Sequence, residues 1–224
     1  RSFRTRKAAE ARSPSSRRPE SMKAELPRWP GEVVACLASG PSLTPEDVET
    51  VRAAGLRAIV TNTTFRAAPW ADLCFGFDAR WWRTVDPKTG MSYAAETARD
   101  FRGARLSMSQ VAENVGVPYA RAAAGFWGCG NSGICAVRIA IEAGARRVIL
   151  LGYDCSAGPG GVMHWHGAHP PGMSNGASLG KWPGHFDRLA KEARRRRVPV
   201  INCSRRTALQ CFDRMDLQAA LALE

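Results

Sequence analysis

The run Val33-Val-Ala-Cys-Leu37, followed at once by Ala38-Ser39-Gly40-Pro41-Ser42-Leu43, constrains the chain more than any other stretch. Five small or branched apolar residues, closed by a Gly-Pro pair, read as a short buried strand. Thr44-Pro45-Glu46-Asp47 comes next. Thr44 suits a helix N-cap, Pro45 suits the first helical turn, and Asp47 completes a capping box. The order is therefore strand, small-residue turn, helix start. Such a junction turns backbone N–H groups and the positive end of a helix toward one point, where an anion such as phosphate is stabilised. Gly40 admits close approach to the backbone and Ser42 adds a hydroxyl. Ser39, Gly40, Pro41 and Ser42 thus form a candidate phosphate-binding turn; an ordinary βα turn without a ligand fits the same residues.

The same pattern recurs along the chain. A helix over 45–54 is stopped by Gly55. Arg57 to Thr61 reads as a second buried strand ending in Asn62-Thr63-Thr64. Asn62 offers both a donor and an acceptor to a base or ribose, or it closes the strand in an Asx-turn. Ala71 to Phe77 reads as a third strand. It delivers Asp78 and then Arg80-Trp81-Trp82-Arg83, where one tryptophan belongs in the core and the other on a rim able to stack on a ring. A short helix is predicted around 94–101 and a fourth strand over 104–107, while 111–121 reads as a loop or edge strand.

Phe126 to Gly133 forms a second small-residue turn, followed by an apolar helix over 135–143 and a strong strand over 146–151. Asn131, Ser132 and Gly133 then sit at a helix N-terminus. Asp154 follows the strand's carboxyl end, on the rim where open α/β sheets bind ligands. A helix over 182–195, a strand over 198–202 and a terminal helix over 217–223 complete the series. The alternation predicts an α/β, Rossmann-like fold: a mainly parallel sheet with helices on both faces.

Composition sets the boundaries. Residues 24–224 read as a single domain, and a hydrophobic content of 45% is ample for its core. Residues 1–23 are rich in Arg, Ser and Pro and carry about half of the net charge of +12. That leader cannot bury a core and is expected to be disordered. Met22 immediately precedes the foldable part and is expected to be the natural start; the alternative is a basic arm that touches nucleic acid. Seven cysteines without a CxxC pair suit a reducing, cytoplasmic compartment rather than a disulfide framework. No apolar run is long enough to span a membrane.

Residues 155–184 are rich in Gly, Pro, His and Trp and are too long for an idle connection. His164, His166 and His169 invite a metal reading, but the spacing matches no recognised zinc pattern and the expectation is that no metal is bound. A loop histidine acting as general base is preferred, because imidazole titrates near neutrality. His166 and His169 are the candidates, with Asp154 as a further catalytic carboxylate. Packing of the loop is the alternative.

With both turns, Asn62 and the histidine loop in view, the chain resembles a known superfamily. It joins the bacterial sialyltransferases of a single Rossmann-like domain to the hydroxymethylpterin diphosphokinase-like proteins. The sialyltransferases' G-x-GPS-L turn is matched by Ala38 to Leu43, with Ala38 in place of the first glycine. Their CN element resembles Thr61-Asn62. Their TSG…GID block resembles Asn131-Ser132-Gly133 through Gly152-Tyr153-Asp154. Their C-P-N-S-L strand end is similar to Asn202-Cys203-Ser204 and Thr207-Ala208-Leu209. The resemblance covers nearly all of 33–212. Pro69 to Asp72, Asp78 and His164-Trp165-His166-Gly167 look most similar to phage and prophage proteins.

The resemblance implies a nucleotide-dependent transferase, glycosyltransferase-like, with the nucleotide held by the first turn and Asn62. A nucleotide sugar is the favoured donor, no metal is needed, and a loop histidine acts as base on the acceptor hydroxyl. The diphosphokinase-like branch implies pyrophosphoryl transfer from ATP with magnesium instead. A third reading is a non-catalytic nucleotide- or DNA-binding phage protein.

Overall fold

The structure is a computed structural model that describes residues 22–120, 130–170, 172–173 and 176–223. Its frame is one seven-stranded sheet made of β1 (Val33–Leu37), β2 (Arg57–Thr61), β3 (Leu73–Gly76), β4 (Ala104–Ser107), β5 (Arg147–Leu151), β6 (Val200–Asn202) and β7 (Asp213–Arg214). The strand order is β4-β3-β2-β1-β5-β6-β7, and every neighbouring pair is parallel. The α/β, Rossmann-like expectation therefore holds, with an all-parallel sheet. The chain runs outward from β1 to one edge, then returns to pair β5 beside β1. The crevice between the carboxyl ends of β1 and β5 is thus the point where the winding reverses, the usual ligand position in such sheets.

Successive side chains of a strand point to opposite faces, and β1 feeds both cores. Val34 and Cys36 join one cluster, which α4 (Ser132–Glu142) and α5 (Trp182–Arg195) cover through Ile134, Val137, Phe186 and Leu189. Val33, Ala35 and Leu37 join the other. That face is covered by α1 (Pro45–Ala53), α2 (Ala79–Arg83), α3 (Tyr93–Asp100) and α6 (Leu217–Ala222). Being buried on both faces, the central strands read as unbroken apolar runs.

Local signals set most helix starts. Thr44 caps α1 in a complete capping box, with Pro45 as its first residue. The Asn131 side chain accepts from the Ile134 N–H, so α4 starts at Ser132 rather than three residues later.

Several expectations need correction. The segment expected as a loop or edge strand over 111–121 contains a 3-10 helix, Gln110–Val115. Tyr119 then bridges to both Lys23 and Ser107. Met22 and Lys23 thus pair with the body of the protein, whereas the rest of the proposed leader lies outside the described residues. Trp81 and Trp82 are both buried, at 3% and 0% exposure, rather than divided between core and rim. The two-residue β7 gives no sequence signal of its own. Phe126 to Cys129 lie outside the described residues.

Among the described residues, no helix is long and apolar enough to cross a membrane.

Candidate functional site

The first turn is closed from within. The Gly40 N–H donates to the Gly152 carbonyl at 2.8 Å, and the Leu43 N–H donates to the Gly40 carbonyl at 3.2 Å. The Ser42 N–H donates to Asp154 Oδ2 at 3.0 Å, while its hydroxyl donates to Asp154 Oδ1 at 2.7 Å. Asp154 is 1% exposed, and burial pushes its carboxyl above the ordinary range although the Ser42 bonds oppose this. The anion in this turn is therefore the protein's own carboxylate.

The reason for Gly40 changes accordingly. A Cβ there would lie 2.1 Å from Asp154 Oδ1 and 2.4 Å from the Gly152 carbonyl oxygen. What approaches the Gly40 backbone is strand β5's continuation.

A cleft of about 310 Å³ opens beside this turn, at the carboxyl ends of β1, β2, β3 and β5. Ser39 and Gly40 reach its wall, while Pro41 and Ser42 do not. The Ser39 hydroxyl is 2.9 Å from that of Thr64, a pairing that no local pattern in the sequence reveals.

The start of α4 is open to the cleft. Asn131, Ser132 and Gly133 all line the cleft. No intrahelical carbonyl can reach the N–H groups of Ser132 and Gly133 in the first turn of α4, and the positive end of the helix faces the same space. The Ser132 hydroxyl accepts from the Phe77 N–H and donates to Asn62 Oδ1, both at 3.2 Å. It thereby ties α4 to the ends of β2 and β3. Asn62 adopts a left-handed conformation, φ 50°, which asparagine tolerates better than most residues. Its Oδ1 is used by Ser132; among the described residues its Nδ2 has no partner. Tyr153 fixes the opposite side of α4, its hydroxyl donating to the Gly133 carbonyl at 3.1 Å.

Asp78 and Arg80 add opposite charges to the wall, and the Asp78 carboxylate already accepts the Arg80 N–H at 2.8 Å as the cap of α2. Trp81 also borders the cleft, stacked on Tyr93 at 4.8 Å, with its indole Nε1 buried and without a hydrogen-bond partner.

The loop after β5 folds over this rim. The Trp165 N–H donates to the Ser39 carbonyl at 3.1 Å. His164 and His169 line the cleft. His166 does not; with His169 it borders a smaller cavity of 110 Å³ containing Arg66, Asp86, Lys88 and Tyr93. Of the two histidines nominated from sequence, His169 thus reaches the cleft wall and His166 sits one layer behind it. His164 takes the place beside His169, and alternation in His-x-His was the available signal for it.

Burial lowers all three imidazoles, His164 to about 4 and His166 to about 3, with His169 lowering both further. They are neutral at physiological pH, with nitrogen lone pairs open to a metal ion, but burial makes them weaker proton acceptors than the near-neutral imidazole expected from the sequence.

No protein-family model matches the chain, and no curated protein matches it. A similar solved structure is that of a nucleoside-diphosphate-sugar epimerase from Pseudomonas aeruginosa, 18% identical, with a TM-score of 0.27. The match covers 77% of this chain and 51% of that one, so this chain spans about half the epimerase's length. So loose a superposition carries no argument about chemistry.

Proposed function

We propose that this chain is a nucleotide-dependent transferase whose favoured donor is a nucleotide sugar, bound in the cleft between β1 and β5. One observation carries the reading. A single cleft has the open N-terminus of α4, the free Asn62 amide and Arg80 on its wall, together with His164 and His169. The first group suits phosphate and a ribose or base. The histidine loop supplies the group that takes the proton of an acceptor hydroxyl. The anion site of this proposal is α4's N-terminus, because Asp154 occupies the turn before α1.

The ATP–magnesium reading is less well supported. Magnesium takes oxygen ligands, usually one or two carboxylates besides the phosphates. Both carboxylates on the cleft wall already accept backbone N–H groups, Asp78 from Arg80 and Asp154 from Ser42.

The test is calorimetric titration with CMP, UDP, their sugar conjugates and ATP with magnesium, followed by donor hydrolysis with water in the acceptor's place. Binding of a nucleotide sugar is expected. His169→Gln should then lower the hydrolysis rate by about 10²–10⁴ while leaving donor affinity nearly unchanged. Absence of any nucleotide binding at millimolar concentration would remove the proposal.

A further inference from the structure

His164, His166 and His169 are drawn together on one loop. Gly167, at φ 91°, makes the reversal between the second and third of them, and its N–H donates to the His164 carbonyl at 3.1 Å. The rings of His164 and His166 stack at 5.2 Å with planes 4° apart, and His169 lies 4.2 Å and 5.1 Å from them. One nitrogen from each falls within 4.8 Å of the other two. Tetrahedral zinc with bonds of about 2.0–2.1 Å places its nitrogen ligands about 3.4 Å apart. Side-chain movement on the order of an ångström therefore closes the three onto one ion.

The surroundings favour a ligand at this point. His166 Nε2 and His169 Nδ1 are buried without a hydrogen-bond partner, an arrangement that is costly for polar atoms and that a metal bond relieves. The loop itself is anchored beside these rings, because the Trp165 N–H donates to the Ser39 carbonyl at 3.1 Å. The nearby charge of Arg66 is balanced, because its guanidinium contacts Asp86 and Glu96, each at 2.6 Å. Three nitrogen donors without an oxygen suit zinc and its neighbours rather than magnesium or calcium.

We infer that His164, His166 and His169 form a three-histidine site for a zinc-class divalent cation, with its open coordination position toward the nucleotide cleft. Two of the three ligands line that cleft, and three protein ligands with one open position is the pattern of catalytic rather than structural zinc. Ion binding is independent of the transfer reading, whereas a role for the ion in catalysis rests on it. Zinc lowers the pKa of its bound water to about 7. In the transfer reaction that water, having released a proton to solvent, would as hydroxide accept the acceptor's hydroxyl proton in place of a free imidazole and become water again. The acceptor oxygen then bonds to the transferred group as the bond to the nucleotide phosphate breaks, leaving its electron pair on the phosphate.

The test uses the whole chain, stripped with chelator and dialysed, then titrated with cobalt(II) and zinc without nucleotide. One ion per chain is expected, with the visible absorption of four-coordinate cobalt, bleached when zinc displaces it. His166→Gln and His169→Gln should each weaken binding by about 100-fold or more, beyond the 10–100-fold typical of losing an outer-shell partner. His185→Gln, which changes the remaining histidine, should leave it unchanged.

Circular dichroism establishes that each variant is folded. The wild type gives a second readout that needs no variant: zinc should protect all three loop histidines from diethyl pyrocarbonate, mapped by mass spectrometry. Binding that is absent, or equal in a folded triple variant, overturns the site, as does full modification in the presence of zinc. Because nucleotide is left out, those outcomes do not touch the transfer proposal, and failed nucleotide binding does not touch the metal site.

Discussion

Two helix starts in this protein read alike in the sequence and end differently. Small residues precede both α1 and α4 in the sequence, and each helix begins at a side-chain N-cap, Thr44 and Asn131. In the first, Asp154 accepts both the Ser42 N–H and its hydroxyl, and Gly40 is pressed against β5's continuation. In the second, Ser132 and Gly133 face the cleft, and the Ser132 hydroxyl joins the ends of β2 and β3. A glycine turn ahead of a helix supplies N–H groups; whether they serve a ligand or a carboxylate of the chain depends on what the rest of the fold delivers there.

The largest expected effect tests the closed turn. Gly40→Ala puts a methyl group where only about 2 Å is free, and stability should fall by roughly 3 kcal/mol or more. Urea unfolding measures it; wild-type stability would mean that Asp154 does not close this turn.

A paired experiment comes next. Ser132→Ala removes the acceptor of the Phe77 N–H and the donor to Asn62, at a cost of about 1–2 kcal/mol, and should weaken nucleotide binding as well. Ser42→Ala loses one hydroxyl bond to Asp154, about 1 kcal/mol, with nucleotide affinity unchanged. Equal loss of affinity in the two variants, by calorimetry, would erase the distinction between the turns.

The smallest effect is a pH dependence. Asp154 titrates above its ordinary value of 3.8 because burial penalises its charge. The folded chain then holds this proton longer than the unfolded chain. The stabilising contribution is full below 3.8 and is lost as pH rises through the folded-state pKa. Asp154→Asn has no such titration, so its stability relative to wild type should rise as pH goes from below 3.8 toward neutrality. A constant difference, in melts across that range, would show that burial does not raise this carboxyl.

What was legible in the sequence was what neighbours along the chain decide. The apolar run from Val33 to Leu37, the Thr44-Pro45 cap and the Trp182–Arg195 helix depend on residues a few positions apart. Their repetition was enough to give a parallel α/β sheet and to bring Asn62, Asn131 and Asp154 to one rim. Three histidines in six residues announced the loop, because their proximity along the chain did not depend on the fold.

The use of each rim residue was decided by contacts across the chain. Asp154 meets Ser42 over 112 positions and Ser132 meets Asn62 over 70, so no periodicity or local motif encodes either bond. His164 rather than His166 reached the cleft because the loop docks on the Ser39 carbonyl, an anchor far away in sequence. The two-residue β7 and the Tyr119 bridges exist only because a sheet edge and a neighbouring segment were already in place to accept them. Local chemistry fixes where a strand or helix begins. Which of its polar groups remain free is settled only when distant segments have packed and taken the others.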